Sequence, residues 1–389
     1  MSKDIKKSVE FNLVEVIFII LITGIVVSVA SGLIVFKNYD KLSSVASSDS
    51  ATNFSEFNKA YNHIVNSYVK EVDKDKLIEA AIEGMYTYLN DEYSIYMDEE
   101  TTKSLEERLD GQYTGVGIEI TADKNNNKII INKVFSNSSA MDAGLKAGDE
   151  LIALDGVLLS DKEYTYVSDT IKNSKKDTFM IKYIRDGKEY EVNLKKKNVL
   201  IDSVVSKEYE NVGYIQIQTF SATTSKQVKD KINNFSKNID SLIIDVRNNT
   251  GGYLSAAYEI ADYFVAKGKP IYQLKDRENK ITIYKAKNDI LRNFKGISVL
   301  INNYSASASE ILALALKESA NATTIGVKSY GKGTVQETDT LSSGAMIKYT
   351  TSYWLSPNGN TINTIGISPD IEEKDAKKQL DIAIKIYKK

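Results

Sequence analysis

Apolar and polar positions follow different rhythms in successive stretches of the chain. Val16 to Phe36 has no charged side chain. That run suits a single membrane-spanning helix, which needs about 20 apolar residues, whereas a cleaved signal peptide has an apolar core of only about 7–15. An uncleaved anchor is therefore expected in residues 1–37. Lys3, Lys6 and Lys7 precede the run, and Lys37 and Lys41 follow it. The slight positive-inside bias predicts a cytoplasmic N-terminus, a single pass through the cell membrane and a C-terminal body on the extracytoplasmic side. Residues 38–53 include the small polar stretch SSVASSDSAT and read as a linker.

Beyond it, Phe54, Phe57, Tyr61, Ile64, Val65 and Tyr68 recur at three- and four-residue steps, which predicts a helix. Leu77, Ala80, Ala81, Met85 and Leu89 predict a second helix over Lys74–Leu89. Together they define a helical region over 54–112. Between 113 and 197 the period shortens to that of strands: Gly115–Thr121, Lys128–Phe135, Glu150–Leu154, Thr178–Arg185 and Lys188–Leu194. The last two flank Asp186-Gly187, a hairpin signal. From 198 to 389 strands alternate with helices. Ser241–Val246 (SLIIDV) and Ile297–Asn302 are continuous apolar strands, the mark of burial on both faces. The fold class is α/β and multidomain.

The chain has 389 residues, too many for one ordinary core. Its 50 basic and 52 acidic residues leave a net charge of −2, so no global field recruits nucleic acid. The absence of cysteine removes thiol catalysis, disulfides and thiolate-held metals. The single histidine, His63, lies in the helical region, reads as structural, and leaves a histidine-based triad little to draw on. No metal or cofactor is expected.

Three segments carry candidate chemistry. NNYSASASEILALAL (302–316) ends a buried strand, and its serines open an apolar helix whose free N–H groups favour an anion. Plain capping by a Ser307–Glu310 box explains the same residues. YGKGTVQ (330–336) sets Lys332 between two glycines, and a solvated turn lysine is the ordinary alternative. DVRNNTGGYL (245–254) places Gly251-Gly252 after a buried strand. Their N–H groups can face an anion, and the loop lacks the lysine spacing of a phosphate loop. In combination they become specific. Without cysteine, and nearly without histidine, a serine nucleophile needs a lysine base, and a lysine serves only when burial keeps it neutral.

These motifs together resemble those of the carboxy-terminal processing proteases, serine peptidases with a Ser/Lys dyad. Tyr113–Ile118 (YTGVGI) and Ala143–Ile152 (AGLKAGDELI) resemble their PDZ domain. Asp91–Tyr96 (DEYSIY) resembles the segment before it, and Gly366–Ile371 (GISPDI) the closing motif. The resemblance implies a PDZ domain inserted before a crotonase/ClpP-like α/β protease core. It selects Ser307 as nucleophile over Ser305 and Ser309, Lys332 as general base and Gln336 as the residue that orients it. It also implies an oxyanion hole from Gly251, Gly252 and Ala308, and peptide binding by Gly115, Val116, Gly117 and Ile118. The implied substrates are proteins or peptides with free apolar C-termini, with the PDZ domain acting as a gate. A homodimer through residues 54–89 is the expected assembly. Thr250 stands where the family often has proline, which is expected to loosen the oxyanion loop. Asp91-Glu92-Tyr93 replaces Asp-Pro-His and is expected to lie away from the chemistry. Two other readings stay open: an inactive PDZ adaptor, and a dedicated regulatory protease with one partner substrate.

Overall fold

A computed structural model describes residues 48–123 and 128–388. The expected anchor Val16–Phe36 lies outside them, and among the described residues no helix is long and apolar enough to cross a membrane. Contacts divide the chain into two units, one through Gly84 and one from Met85 onward.

The first unit is built on α1 (Ser48–Ser67) and most of α2 (Lys74–Leu89). Helix α1 starts within the stretch read as linker, because small polar residues oppose a helix only weakly once an adjoining amphipathic segment propagates it. Phe54, Phe57 and Ile64 remain exposed on α1, as do His63 and, just past its end, Tyr68.

The second unit opens with β1 (Ile95–Met97) and α3 (Glu99–Asp110), neither of which the apolar pattern revealed. Strand β1 is only three residues long, and α3 (EETTKSLEERLD) carries too few apolar residues for a readable face. Asp98 caps α3 by accepting from Thr101 N.

The β-rich domain follows. Strand β2 (Gln112–Gly115) is set apart from β3 (Ile118–Asp123), so the expected single strand Gly115–Thr121 is broken at Val116-Gly117. Then come β4 (Lys128–Val134), the short α4 (Ser139–Asp142), β5 (Glu150–Leu154), β6 (Val157–Leu158), α5 (Thr165–Asn173), β7 (Thr178–Arg185), β8 (Lys188–Lys195) and β9 (Lys197–Leu200). The sheet order is β3-β4-β5-β7-β8, and β2 pairs separately with β9. Arg185 lies opposite Lys188, so Asp186-Gly187 forms the expected two-residue turn. The core here includes Ile131, Leu154, Val167, Phe179, Ile181 and Leu194.

The α/β domain is built on β10 (Val204–Tyr209), β11 (Val212–Ile217), α6 (Thr224–Asn234), β12 (Ser241–Asp245), α7 (Leu254–Asp262), β13 (Pro270–Asp276), β14 (Ile281–Lys285), β15 (Gly296–Ile301), α8 (Ala308–Ala320), β16 (Thr323–Gly326), β17 (Thr334–Thr340), β18 (Met346–Leu355), β19 (Ile371–Glu372) and α9 (Ala376–Tyr387). One sheet has the order β10-β11-β12-β15-β16-β19, and every pair beyond β10–β11 is parallel. All five residues of β12 are buried, as its unbroken apolar run requires. The second sheet runs β1-β18-β13-β14, with β17 also on β18. Its longer strands break their apolar residues with polar ones, which hid them from an apolar-run reading. Because β12, β15 and β16 are consecutive parallel neighbours, the loops at their carboxyl ends lie side by side, where open α/β sheets build their sites.

Candidate active site

The loop after β15 and the first turn of α8 carry the three serines, and the structure separates their roles. Ser305 is fully buried; its hydroxyl donates to Val246 O at 2.8 Å and accepts from Asn302 N at 2.9 Å. Ser309 is also fully buried and donates to Asn249 O at 2.8 Å. Both staple their loop to the one after β12, aided by the Ala306 N–H on Asn249 O (3.1 Å). Ser307 is half-buried, and its backbone holds φ 57 and ψ −116. A non-glycine residue in that region is strained, and such strain clusters at reacting sites. The turn projects Ser307 from the N-terminus of α8, whose interior is buried on nearly all sides.

Gly251 packs directly on this turn. A Cβ there would come within 3.1 Å of Ser307 Cβ and 3.3 Å of Ala308 N, so any side chain would crowd both. Asn249 fixes the loop by donating to Ile217 O (2.8 Å) and accepting from Gly251 N (2.9 Å). The Gly251 N–H is therefore spent within the loop. Among the described residues no acceptor engages Gly252 N or Ala308 N, which leaves these two of the three predicted donors free for a developing oxyanion.

The loop after β16 brings in Lys332. Gly331 packs so tightly on Gly366 of the closing GISPDI stretch that a Cβ would lie 2.8 Å from Gly366 N. Trp354, fully buried, donates its indole N–H to Lys332 O at 2.8 Å. The Lys332 side chain is largely buried, and burial together with the charge of Lys348 brings its pKa down to about 8, against the opposing pull of Asp91, Glu92 and Glu310. Among the described residues no hydrogen bond or ion pair engages its Nζ. The ammonium lies instead over the Tyr93 ring, 4.3 Å from the centroid.

Tyr93 comes from the segment expected to lie away from the chemistry, and the structure corrects that expectation. Ile95–Met97 pairs antiparallel with Met346–Lys348 and so carries residues 91–94 onto the lysine. Asp91 accepts from Ser94 Oγ and Thr350 Oγ1, both at 2.6 Å, and from Tyr93 N. Gln336 donates to Thr334 Oγ1 (3.0 Å) and Thr350 Oγ1 (3.1 Å). It is thus tied to the Asp91–Thr350 pair and makes no hydrogen bond to Lys332.

Glu310 joins the two halves of the site. It is fully buried. One carboxylate oxygen accepts from Ser307 N (2.9 Å) and Lys332 N (3.0 Å), the other from Ser329 Oγ (2.6 Å) and Gly331 N (2.7 Å). Burial pushes its pKa up, and these four bonds pull it back. The capping pattern foresaw only the contact with Ser307. A glutamate three residues into an apolar, largely buried helix was the signal for the rest.

In the β-rich domain, Gly115, Val116, Gly117 and Ile118 line one cavity of about 330 Å³ with Ile120, Val167, Ile171 and Lys172. Lys172 pairs at 3.2 Å with Glu107 of α3, which lines the same cavity.

A strained serine at a helix N-terminus, a pKa-lowered lysine in the neighbouring loop and a separate peptide-sized groove describe a serine peptidase coupled to a binding domain. Family models agree: peptidase family S41 matches residues 211–373, a PDZ domain residues 115–195, and the N-terminal domain of the activating protease CtpB residues 33–101. The chain is 38% identical over 323 residues to the carboxy-terminal processing protease CtpB of Bacillus subtilis (strain 168), covering 81% of this chain and 67% of that one. It is 33% identical over 361 residues to CtpA of the same organism, covering 92% and 77%. Among solved structures, the photosystem II D1 C-terminal processing protease is similar at TM-score 0.47 and 26% identity, covering 82% of this chain and 92% of that one. The chain belongs to the carboxy-terminal processing proteases of peptidase family S41.

Proposed function

We propose that the protein is a membrane-anchored serine endopeptidase that cleaves exported proteins selected by their C-terminal tails. The convergence of Ser307 and the Lys332 loop on the single carboxylate of Glu310 carries this reading. Neutral Lys332 takes the proton of Ser307 as Oγ attacks the scissile carbonyl carbon. Gly252 N–H and Ala308 N–H receive the oxyanion, with Gly251 shaping the hole beside them. Lys332 then gives its proton to the leaving amine nitrogen, and the acyl-enzyme remains. Water attacks the ester, its proton passes to Lys332, and that proton returns to Ser307 Oγ. Proton transfer needs Nζ within hydrogen-bond reach of Oγ, so Lys332 must first leave the Tyr93 ring. Gln336, held by Thr350, would orient the lysine once it has swung.

The cavity at Gly115–Ile118 would take the substrate tail as an added strand. Its apolar lining favours an apolar last residue, and backbone N–H groups would hold the carboxylate. An arriving carboxylate competes with Glu107 for Lys172 and so loosens the last turn of α3, where Leu109 O accepts from Ala222 N of the α/β domain. That contact supports a gate. The uncharged run Val16–Phe36 supports the anchor and an extracytoplasmic body. The exposed apolar residues of α1 support a homodimer.

The test is cleavage of one test protein with and without an apolar tail, by wild type, Ser307→Ala and Lys332→Ala. Both variants should lose turnover by orders of magnitude while tail binding survives. Turnover retained in either would refute the dyad, and equal cleavage of tailed and tailless substrate would refute tail selection. Fractionation of cells expressing the full chain checks the anchor: recovery in the soluble fraction counts against it.

A further inference from the structure

A second cavity, of about 480 Å³, opens between α3 and the β1–β18 edge and is lined by Ile95, Met97, Leu105, Arg108 and Lys348. Its two cations lack partners: among the described residues neither Arg108 nor Lys348 makes an ion pair or side-chain hydrogen bond. Lys348 is half-buried. Burial lowers its pKa, and Arg108 lowers it further by like-charge repulsion, while Asp91 opposes both. A half-buried cation with no ion-pair partner, pressed by a second cation and only partly offset by Asp91, is an arrangement that an anion relieves. Glu100 also lines the cavity and pairs with neither cation. The position matters as much as the charge. On β18, Lys348 stands two residues from Thr350, which holds Gln336, so alternate residues of one strand face serve both places. The charge of Lys348 is felt at Lys332.

We propose that this cavity is a carboxylate subsite of the substrate cleft, with Arg108 and Lys348 as the charged ligands and Ile95, Met97 and Leu105 as the wall for the carboxylate's aliphatic stem. The inference rests on the reading of Ser307 and Lys332 as the reacting centre. Peptide is the matching ligand class. Two cations beside three apolar side chains suit one carboxylate on a short hydrocarbon stem, and the chain's near-neutral charge offers no field for a polyanion. The carboxylate could be a glutamate side chain of the substrate or a free chain end.

The experiment uses the full chain and matched peptides sharing one scissile sequence. Glu is compared with Gln at each position flanking the bond, and free termini with amidated ones. Wild type should favour Glu at one position, or the free terminus, by about tenfold in kcat/KM, the size of one charged hydrogen bond. A Glu preference assigns a side chain to the subsite, and a terminus preference assigns a chain end. Either preference should collapse towards unity in Arg108→Gln and Lys348→Met and return in Lys348→Arg. Binding of the labelled preferred peptide to Ser307→Ala, with and without Arg108→Gln, reports the same contact without catalysis. A ratio near one at every position in wild type, or a preference that survives both substitutions, overturns the subsite while leaving the Ser307 reading intact. Unimpaired cleavage by Ser307→Ala would instead sink the catalytic reading, and the binding comparison would still judge the subsite.

Discussion

The ammonium of Lys332 rests 4.3 Å from the centroid of the Tyr93 ring. The negative face of the ring favours the charged amine and opposes the burial that disfavours it. Tyr93→Phe keeps the ring and loses the hydroxyl's contacts with Tyr330 (3.4 Å) and with Glu92. Tyr93→Leu loses the ring. A cation–π contact of about 0.5–1 kcal/mol corresponds to roughly half a pH unit. The pH–rate midpoint should therefore fall by about that amount in Tyr93→Leu and stay in place in Tyr93→Phe. Coincident profiles for all three proteins would show that the ring does not tune the amine.

Burial and Lys348 bring Lys332 down to about 8. As the proposed base it works only when neutral, so kcat/KM should rise with pH through about 8 and level off above it. Removing the Lys348 charge in Lys348→Met should move that midpoint upward, and only part of the way to 10.5, because burial is the larger cause. A pH profile flat between 7 and 9, expected from any base already neutral there, would contradict the assignment.

The same shift predicts a stability effect of definite sign. The folded pKa lies below the unfolded 10.5, so between about 8 and 10.5 the unfolded chain binds the extra proton and stability rises with pH. Below 8 the cost of burying the ammonium is present in full. Lys332→Met should therefore melt at higher temperature than wild type at pH 7, with the difference shrinking as pH climbs past 8 towards 10. Thermal melts across that range provide the measurement. A gap that widened with pH would reverse the sign.

Much of the site was readable in the sequence because its loops announce themselves. SLIIDV, the apolar strand before Asn302 and the glycine pairs mark places where a buried strand hands over to a turn, and parallel pairing then brings those turns together. What stayed hidden depends on partners distant in the chain. Tyr93 reaches Lys332 only because a three-residue strand pairs with β18, a register no local pattern encodes. Ser305 and Ser309 differ from Ser307 in full burial against backbone carbonyls and in lacking its strained φ, neither of which the sequence displays. Strands β13, β14, β17 and β18 intersperse apolar with polar residues, so their pairing energy lies in cross-strand neighbours and not in an apolar run.

Glu310 offers the sharpest test, since its two oxygens divide four donors evenly. Ser307 N and Lys332 N share one oxygen, and Ser329 Oγ and Gly331 N share the other. Glutamine keeps the shape and replaces one acceptor with an NH2 group, which then faces two donors. Whichever way the amide turns, one pair loses its acceptor and is left buried and unmatched, at about 1–3 kcal/mol for each group. If the NH2 group faces Ser307 and Lys332, the proposed nucleophile and base lose their common tether, and a displacement of about 1 Å can cost on the order of 100-fold in rate. Glu310→Gln should accordingly lower kcat about 100-fold with KM nearly unchanged, because the groove proposed to bind the tail, around Gly115–Ile118, is a separate one. Its melting temperature should also fall. Glu310→Asp keeps both acceptors on a shorter stem and should retain more stability than glutamine while still losing rate. Equal kcat in wild type and Glu310→Gln, measured on a protein shown to be folded, would mean that the two loops hold their alignment without the shared carboxylate.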